Sequence, residues 1–127
     1  MKTQNGKTVI ARNGNGRHIE QILAGKIASD MSFNEKVWTI CANVPKGKVT
    51  TYAAIARKLG TAAYRAVGNA LNKNPYAPKV PCHRVVGSDG SLTGFAGGIP
   101  KKKYLLQSEG VAFAKGRVDL AVSACEL

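Results

Sequence analysis

Apolar residues recur at helical spacing over much of the chain, which predicts a mainly α domain. In a first amphipathic stretch these positions are Ile19, Ile22, Leu23 and Ile27. A capping box at Ser32 and Glu35 starts a second helix, which Pro45 and Gly47 end. The apolar face predicted for this helix carries Phe33, Val37, Ile40 and Val44.

Two short helices separated by a tight turn are predicted next. The first is capped by Thr50 or Thr51 and stops at Gly60, and the second spans about residues 62–73. Two helices joined in this way indicate a helix-turn-helix. Small side chains are frequent in the second helix, at Ala62, Ala63, Ala66 and Gly68. They allow close approach to a phosphate chain, and tight helix packing explains them equally well.

Beyond this pair the pattern changes to turns and extended chain. Pro78 and Pro81 are expected to keep the segment extended up to a short strand at residues 85–86, and a glycine-rich loop at residues 93–98 leads into a last helix. The sequence therefore predicts a winged-helix-like domain with a helix-turn-helix and a short β element. We place this domain at residues 32–112, after an N-terminal extension (residues 1–31) and before a C-terminal tail (residues 113–127).

The charge of the chain points to its partner. Nineteen Lys and Arg residues stand against seven Asp and Glu, a formal net charge of +12 that favours nucleic acid, although a merely soluble basic protein is the plainer alternative. The Lys101–Lys103 run is interpreted as a solvated face. No apolar run suggests a signal peptide or a membrane span, so we expect a cytoplasmic protein, or a nuclear one in a eukaryote.

Three cysteines at wide spacing fit neither a disulfide framework nor a zinc site, so no metal is predicted. Cys82 is followed directly by His83 and Arg84, which could activate a thiolate nucleophile. On an extended chain His83 would point away from Cys82, which favours a bridging water between them. A buried structural cysteine, a structural histidine and an ion-paired Arg84 are the plainer alternatives.

These segments together resemble the C-terminal catalytic domain of the O6-alkylguanine-DNA alkyltransferases. The resemblance covers about residues 33–112. The segments that carry it are Val49–Ala56, Arg65–Leu71, Asn74–Pro75, Pro81–Val86, Gly94–Gly98 and Tyr104–Leu106 with Glu109–Gly110.

The resemblance implies an irreversible transfer of the alkyl group to Cys82 in a single turnover, without cofactor or metal. His83 would deprotonate Cys82 through water, Glu109 would orient His83, and Tyr52 would supply a proton to the departing base. A base in a duplex must be flipped out to reach a thiol.

The implied partner is double-stranded DNA containing O6-alkylguanine, bound by a monomer. Arg65 would fill the vacated position. The other DNA contacts implied are Thr51, Ala66, Gly68 and Asn69. The substrate pocket and hinge would be formed by Asn74, Pro81, Val85, Phe95, Ala96 and Gly97.

The chain departs from the family pattern in three ways, one of which is Asn72 where some members have a further arginine in the recognition helix. Phe95 and Ala96 stand where other members have Tyr and Ser, and residues 1–31 do not resemble the longer N-terminal domain of those members. One alternative is a lesion-binding sensor like the small alkyltransferase-like proteins, although these have Trp in place of Cys82. A cysteine hydrolase and a plain helix-turn-helix regulator are further alternatives.

Overall fold

A computed structural model describes residues 18–95 and 97–127. Residues 1–17, most of the predicted N-terminal extension, and Ala96 of the predicted pocket lie outside the described residues. The helices of the described part are α1 (Ile19–Ala24), α2 (Phe33–Cys41), α3 (Tyr52–Lys58), α4 (Tyr64–Asn72), α5 (Ile99–Ser108) and α6 (Leu120–Ser123). Its strands are β1 (Thr50–Thr51), β2 (Val85–Val86), β3 (Phe113–Ala114) and β4 (Arg117–Val118). The predicted mainly α fold with a short β element is confirmed.

Helix α2 begins at the predicted capping box. The Ser32 hydroxyl accepts from the Glu35 amide at 3.1 Å, and the Glu35 carboxylate accepts from the Ser32 amide at 2.9 Å. The helix ends at Cys41, so the prediction that Val44 belongs to its face is wrong. The Val44 amide instead donates to the Cys41 carbonyl in a turn, and this turn still buries the Val44 side chain.

Helices α3 and α4 form the predicted helix-turn-helix. Thr51, the last residue of β1, is the cap of α3, because its hydroxyl accepts from the Ala54 amide at 3.0 Å; Thr50 lies one residue earlier in β1 and is not the cap. Helix α4 begins at residue 64, not 62. Its core-facing residues are Val67, Ala70 and Leu71. The Trp38 indole donates to the Ala70 carbonyl at 2.7 Å, which fixes α4 against α2.

The strands form two small ladders. β1 and β2 pair in parallel, with Thr50 opposite Val85. β3 and β4 form an antiparallel hairpin in the predicted tail. Its turn residues Lys115 and Gly116 have φ of 55° and 80°, the left-handed region that tight hairpin turns use.

The described residues bury two apolar clusters, one on either side of the β1–β2 ladder. The larger lies between α1, α2, α3 and α4, and the smaller lies between β2, α5 and the β3–β4 hairpin. Ile22 of the predicted extension is fully buried in the first cluster, and Val118 of the predicted tail is buried in the second. Packing is therefore continuous across both predicted domain boundaries.

His18 connects the start of the described chain to α2. Its ring is buried between two carboxylates, with Nδ1 at 3.0 Å from Glu35 and Nε2 at 3.0 Å from Asp30. The hydrogen bond to Glu35 is the main cause that raises the pKa of His18 above its usual 6.5. The fold therefore stabilises the imidazolium form.

We expect this contact to make stability depend on pH. Because the folded-state pKa of His18 is raised, its contribution is complete below about pH 6.5 and is lost as pH rises through the raised value. Chemical denaturation of the wild type and His18→Gln should show a larger difference in unfolding free energy at about pH 6 than at about pH 9. Other titrating groups are common to both proteins, so a pH-independent difference would contradict the assignment.

Candidate alkyl-acceptor site

Cys82 begins a 3₁₀ turn, Cys82–Arg84, that precedes β2. The Arg84 amide donates to the Pro81 carbonyl at 2.9 Å, and the Cys82 amide donates to the Val80 carbonyl at 2.9 Å. The expectation of extended chain here is wrong, because these local hydrogen bonds coil the backbone. Successive side chains of a 3₁₀ turn are about 120° apart. His83 and Cys82 therefore do not point to opposite sides.

Asn74 holds the loop that leads to Cys82. Its side-chain amide donates to the Val80 carbonyl at 2.8 Å, and its side-chain oxygen accepts from the Tyr76 amide at 2.9 Å. The Val80 amide also donates to the Tyr76 carbonyl, so residues 75–79 form turns instead of the expected extended segment. The Asn74 side chain thus supplies hydrogen-bond partners to two backbone groups of the loop, as asparagine commonly does in turns. Pro81 and Val85 are buried on either side of the cysteine turn.

Glu109 binds both residues that follow Cys82. Its carboxylate lies 3.0 Å from His83 Nε2, and it accepts from Arg84 Nε at 2.9 Å and from Arg84 Nη2 at 2.8 Å. The Arg84 guanidinium is the main cause that lowers the pKa of Glu109. An ionised carboxylate only accepts hydrogen bonds, so His83 Nε2 carries the proton and Nδ1 keeps a lone pair.

His83 is uncharged at neutral pH in this environment. The side chain is 5% exposed, and burial lowers its pKa below 6.5 despite the hydrogen bond from Nε2 to Glu109. The positive charges of Arg84 and Lys102 lower the pKa further. A neutral imidazole with a free Nδ1 can act as a general base.

The other two cysteines are poor candidates for a nucleophile. Cys41 is fully buried, and burial raises its pKa strongly, so it stays a thiol. Burial also raises the pKa of Cys125, which is half-buried near the C-terminus. Cys82 is half-buried and packs against the larger apolar cluster. It is thus the cysteine that lies beside a base.

Lys102 is a buried cation that the sequence pattern missed. Lys101 and Lys103 are exposed as predicted, but Lys102 is 0% exposed, because it shares the inner face of α5 with Leu106 one turn later. Its ammonium donates to the Val85 carbonyl at 2.6 Å and to the Thr93 carbonyl at 2.8 Å. Burial lowers the pKa of Lys102 to about 8, so most of the charge remains at neutral pH.

Tyr52 lies between α4 and the glycine-rich loop. Its hydroxyl donates to the Thr93 carbonyl at 3.0 Å and lies 3.5 Å from the Lys102 ammonium. Burial raises the pKa of Tyr52, so the phenol is protonated at neutral pH. A Cβ at Gly68 would be 4.0 Å from the Tyr52 ring, and one at Gly94 would be 3.5 Å from its hydroxyl.

The outer face of α4 borders an open cavity of about 480 Å³. It is lined by Tyr52, Tyr64, Arg65, Gly68, Asn69, Asn72, Thr93 and Gly94. The cavity brings Arg65, Gly68 and Asn69 of the predicted DNA-binding set together with Tyr52. Ala66 is half-buried on α4, Thr51 caps α3, and neither of these two nor Cys82 lines the cavity.

The glycine-rich loop closes one side of the site. The Gly98 amide donates to the Phe95 carbonyl at 2.9 Å, which bends the loop back on itself. A Cβ at Gly97 would lie 2.8 Å from the half-buried Phe95 ring, so Gly97 permits this close approach. Ala96 between them lies outside the described residues.

Cys82 directly precedes a buried, neutral histidine, and α3 and α4 form a helix-turn-helix of the kind that DNA-binding proteins use. The family model described as the DNA-binding domain of 6-O-methylguanine DNA methyltransferase matches residues 32–111. The chain belongs to this family. It is 43% identical over 102 residues to a methylated-DNA–protein-cysteine methyltransferase of Methanosarcina barkeri. The aligned region covers 73% of this chain and 65% of that protein.

Two solved structures carry the same fold. One is S. pombe Atl1 in complex with damaged DNA containing O6-carboxymethylguanine, with 30% identity, a TM-score of 0.66, and coverage of 75% of this chain and 95% of that one. The other is Mycobacterium tuberculosis OGT in complex with DNA, with 34% identity, a TM-score of 0.61, and coverage of 85% and 74%.

Two negative findings concern the described residues. Across residues 18–95 and 97–127, no group of three or more His, Cys, Asp and Glu side chains could hold a metal ion. In the same ranges no helix has the length and apolar character that crossing a membrane requires.

We expect the Lys102 ammonium to stabilise the site. Lys102→Met would leave the Val85 and Thr93 carbonyls without a buried donor, at a cost of about 1–3 kcal/mol. The corresponding fall in melting temperature is about 3–10 °C for a domain of this size. Lys103→Met, which removes an exposed charge from the same helix, is the control. Equal melting temperatures for the two variants would show that the buried contacts contribute nothing.

Proposed function

We propose that this protein repairs O6-alkylguanine in double-stranded DNA by irreversible transfer of the alkyl group to Cys82, once per molecule and without cofactor or metal. The observation that carries the proposal is the position of Cys82 directly before a neutral His83 that Glu109 orients. The chain spans 65% of the length of the Methanosarcina relative, so alkyl transfer by this chain is an inference. We infer that residues 32–112 correspond to the catalytic, C-terminal domain of the longer relatives.

The transfer is a displacement at the alkyl carbon. His83 Nδ1 takes the Cys82 proton through a water molecule, and Glu109 stabilises the resulting imidazolium. The thiolate then forms an S–C bond while the bond from the alkyl carbon to guanine O6 breaks. A thioether has no route back to the thiol, so each molecule reacts once.

Guanine leaves more easily when a ring nitrogen gains a proton. Tyr52 is proposed as the donor, because its phenol is protonated at neutral pH and borders the cavity. The neighbouring Lys102 ammonium would stabilise the phenolate that remains. Proton transfer from Tyr52 thus balances the negative charge that develops on the base.

The lesion reaches Cys82 by base flipping. Arg65 is exposed on the outer face of α4, where its guanidinium can occupy the space left in the duplex. Thr51, Ala66, Gly68 and Asn69 are proposed backbone or groove contacts. Asn74, Pro81, Val85, Phe95, Ala96 and Gly97 are proposed to form the pocket and its hinge.

We further propose that the protein acts as a monomer, in the cytoplasm or in the nucleus of a eukaryote. Its net charge of +12 suits attraction to the phosphate backbone of duplex DNA.

A lesion-binding sensor is the second candidate. It is favoured by the likeness to Atl1, which is nearly covered by this chain and was solved with damaged DNA. Cys82 argues for transfer, because the small alkyltransferase-like proteins have Trp in its place.

The two candidates differ in the mass of the protein after contact with DNA. After incubation with excess duplex containing O6-methylguanine, we expect one added methyl group per molecule, mapped by peptide mass spectrometry to Cys82. Cys82→Ala should gain no methyl group and still bind the duplex, whereas Cys125→Ala should react like the wild type. Binding without any added methyl group would favour the sensor, and a methyl group on Cys41 or Cys125 would contradict the site.

The pH dependence of transfer should report His83. Burial lowers its pKa below 6.5, so the rate constant should stay level near neutral pH and decrease only below the lowered value. Glu109→Gln removes the carboxylate that favours the imidazolium, so the rate should fall about 100-fold or more. The acid limb of the profile should also move to lower pH. An unchanged profile in Glu109→Gln would exclude His83 as the base.

A further inference from the structure

Tyr64 is a large aromatic side chain that the proposed chemistry does not use. It is the first residue of α4, and 53% of it is exposed. The two residues before it, Ala62 and Ala63, are exposed and small, so the local chain leaves the ring room to approach another molecule. An exposed aromatic ring can bury a large apolar area against a binding partner.

The position of Tyr64 on the helix shows which surface its ring belongs to. Tyr64 and Gly68 are four residues apart and lie on the same ridge of α4, on the side that lines the cavity with Arg65. The opposite side of the helix packs into the core through Val67, Ala70 and Leu71. Tyr64 therefore presents its ring on the same surface as the proposed finger residue Arg65 and directly precedes it in the chain.

The chemistry of this surface favours nucleic acid over a protein partner. Helix α4 contains no Asp or Glu, and the residue that follows Tyr64, Arg65, is an exposed cation. A cation that neutralises phosphate beside an aromatic ring that stacks on a base is the combination used to bind unpaired or unstacked nucleotides.

We propose that Tyr64 stacks on the base next to the lesion. This inference rests on the proposed function: when the alkylated base turns out, the Arg65 guanidinium, which is smaller than a purine, covers only part of the vacated step. The Tyr64 ring stacks on the part of the neighbouring base that stays uncovered. Base extrusion is opposed by the loss of stacking, so a ring delivered to the open step stabilises the flipped state.

The test uses the full chain with Cys82→Ala, so that the DNA stays unreacted. Duplexes carry O6-methylguanine with the fluorescent base 2-aminopurine on its 3′ side or its 5′ side, because stacking quenches this fluorescence. Adding Tyr64→Ala should raise the fluorescence of one of the two bound duplexes and weaken binding about 5- to 10-fold. Tyr64→Phe should restore both values, since it keeps the ring.

Tyr104→Ala is the matched control, because Tyr104 is 69% exposed on α5 and does not line the cavity. The inference is overturned if Tyr64→Ala behaves like Tyr104→Ala, or if Tyr64→Phe fails to restore binding. In the chain that keeps Cys82, Tyr64→Ala should slow reaction with the duplex more than reaction with free O6-benzylguanine, because only the duplex offers a base to stack on. An equal loss on the free base and on duplex would mean that the ring contacts the flipped base, which also overturns the inference.

Failure of the proposed function would look different. A wild type that binds the duplex but gains no methyl group would refute transfer, whereas the fluorescence and affinity of the Tyr64 variants would still decide whether the ring stacks.

Discussion

Both oxygens of the Glu109 carboxylate are bound by groups from the turn that carries Cys82. Arg84 donates to this carboxylate through Nε and Nη2, and its third nitrogen, Nη1, donates to the Val44 carbonyl at 2.9 Å. One carboxylate therefore connects the end of α5, the cysteine turn and the segment after α2. A partly buried carboxylate with an Arg partner is ionised, and that charge fixes which nitrogen of His83 bears hydrogen. The state of the general base thus depends on a structural ion pair.

The two cations that act on His83 both lower its pKa. Lys102 and Arg84 both disfavour protonation of His83, and a negative charge on Cys82 would in turn favour the charged form of Lys102. A buried ammonium is costly unless it is fully hydrogen-bonded, and the carbonyls of Val85 and Thr93 meet that requirement. The site therefore combines a neutral base, a protonated phenol and a buried, hydrogen-bonded ammonium.

Much of the fold could be predicted, because it depends on local signals. The capping box at Ser32 and the helical spacing of apolar residues determined α2, α3 and α4 to within a few residues. The 3₁₀ turn at Cys82 could not be predicted, since it depends on turns that Asn74 holds through contacts with Tyr76 and Val80. Proline alone suggested extended chain there.

At the site, the contacts between residues far apart in the sequence were what sequence patterns could not predict. Cys82 and His83 were candidates because they are adjacent in the sequence, and Glu109 was identified through the resemblance; the structure brings His83 and Glu109 together. Lys102 looked like one member of a solvated run, because nothing in a Lys-Lys-Lys segment marks which residue faces inward. The helical spacing of the apolar residues leaves Tyr64 off the apolar side of its helix, but its exposure beside Arg65 appears only in three dimensions.

The parallel ladder of β1 and β2 has a consequence for the order in which the chain folds. Thr51 directly precedes Tyr52, and its ladder partner Val86 follows the cysteine turn, so the pairing joins segments about 35 residues apart in sequence. Contacts of such separation form after the local packing of α3 against α4, because closing the intervening loop costs entropy that only later contacts offset. The turn that carries Cys82 therefore reaches its final position only after the two helices of the helix-turn-helix have packed together. The arrangement of Cys82 and His83 on which the proposed transfer depends is thus completed after the helix-turn-helix itself.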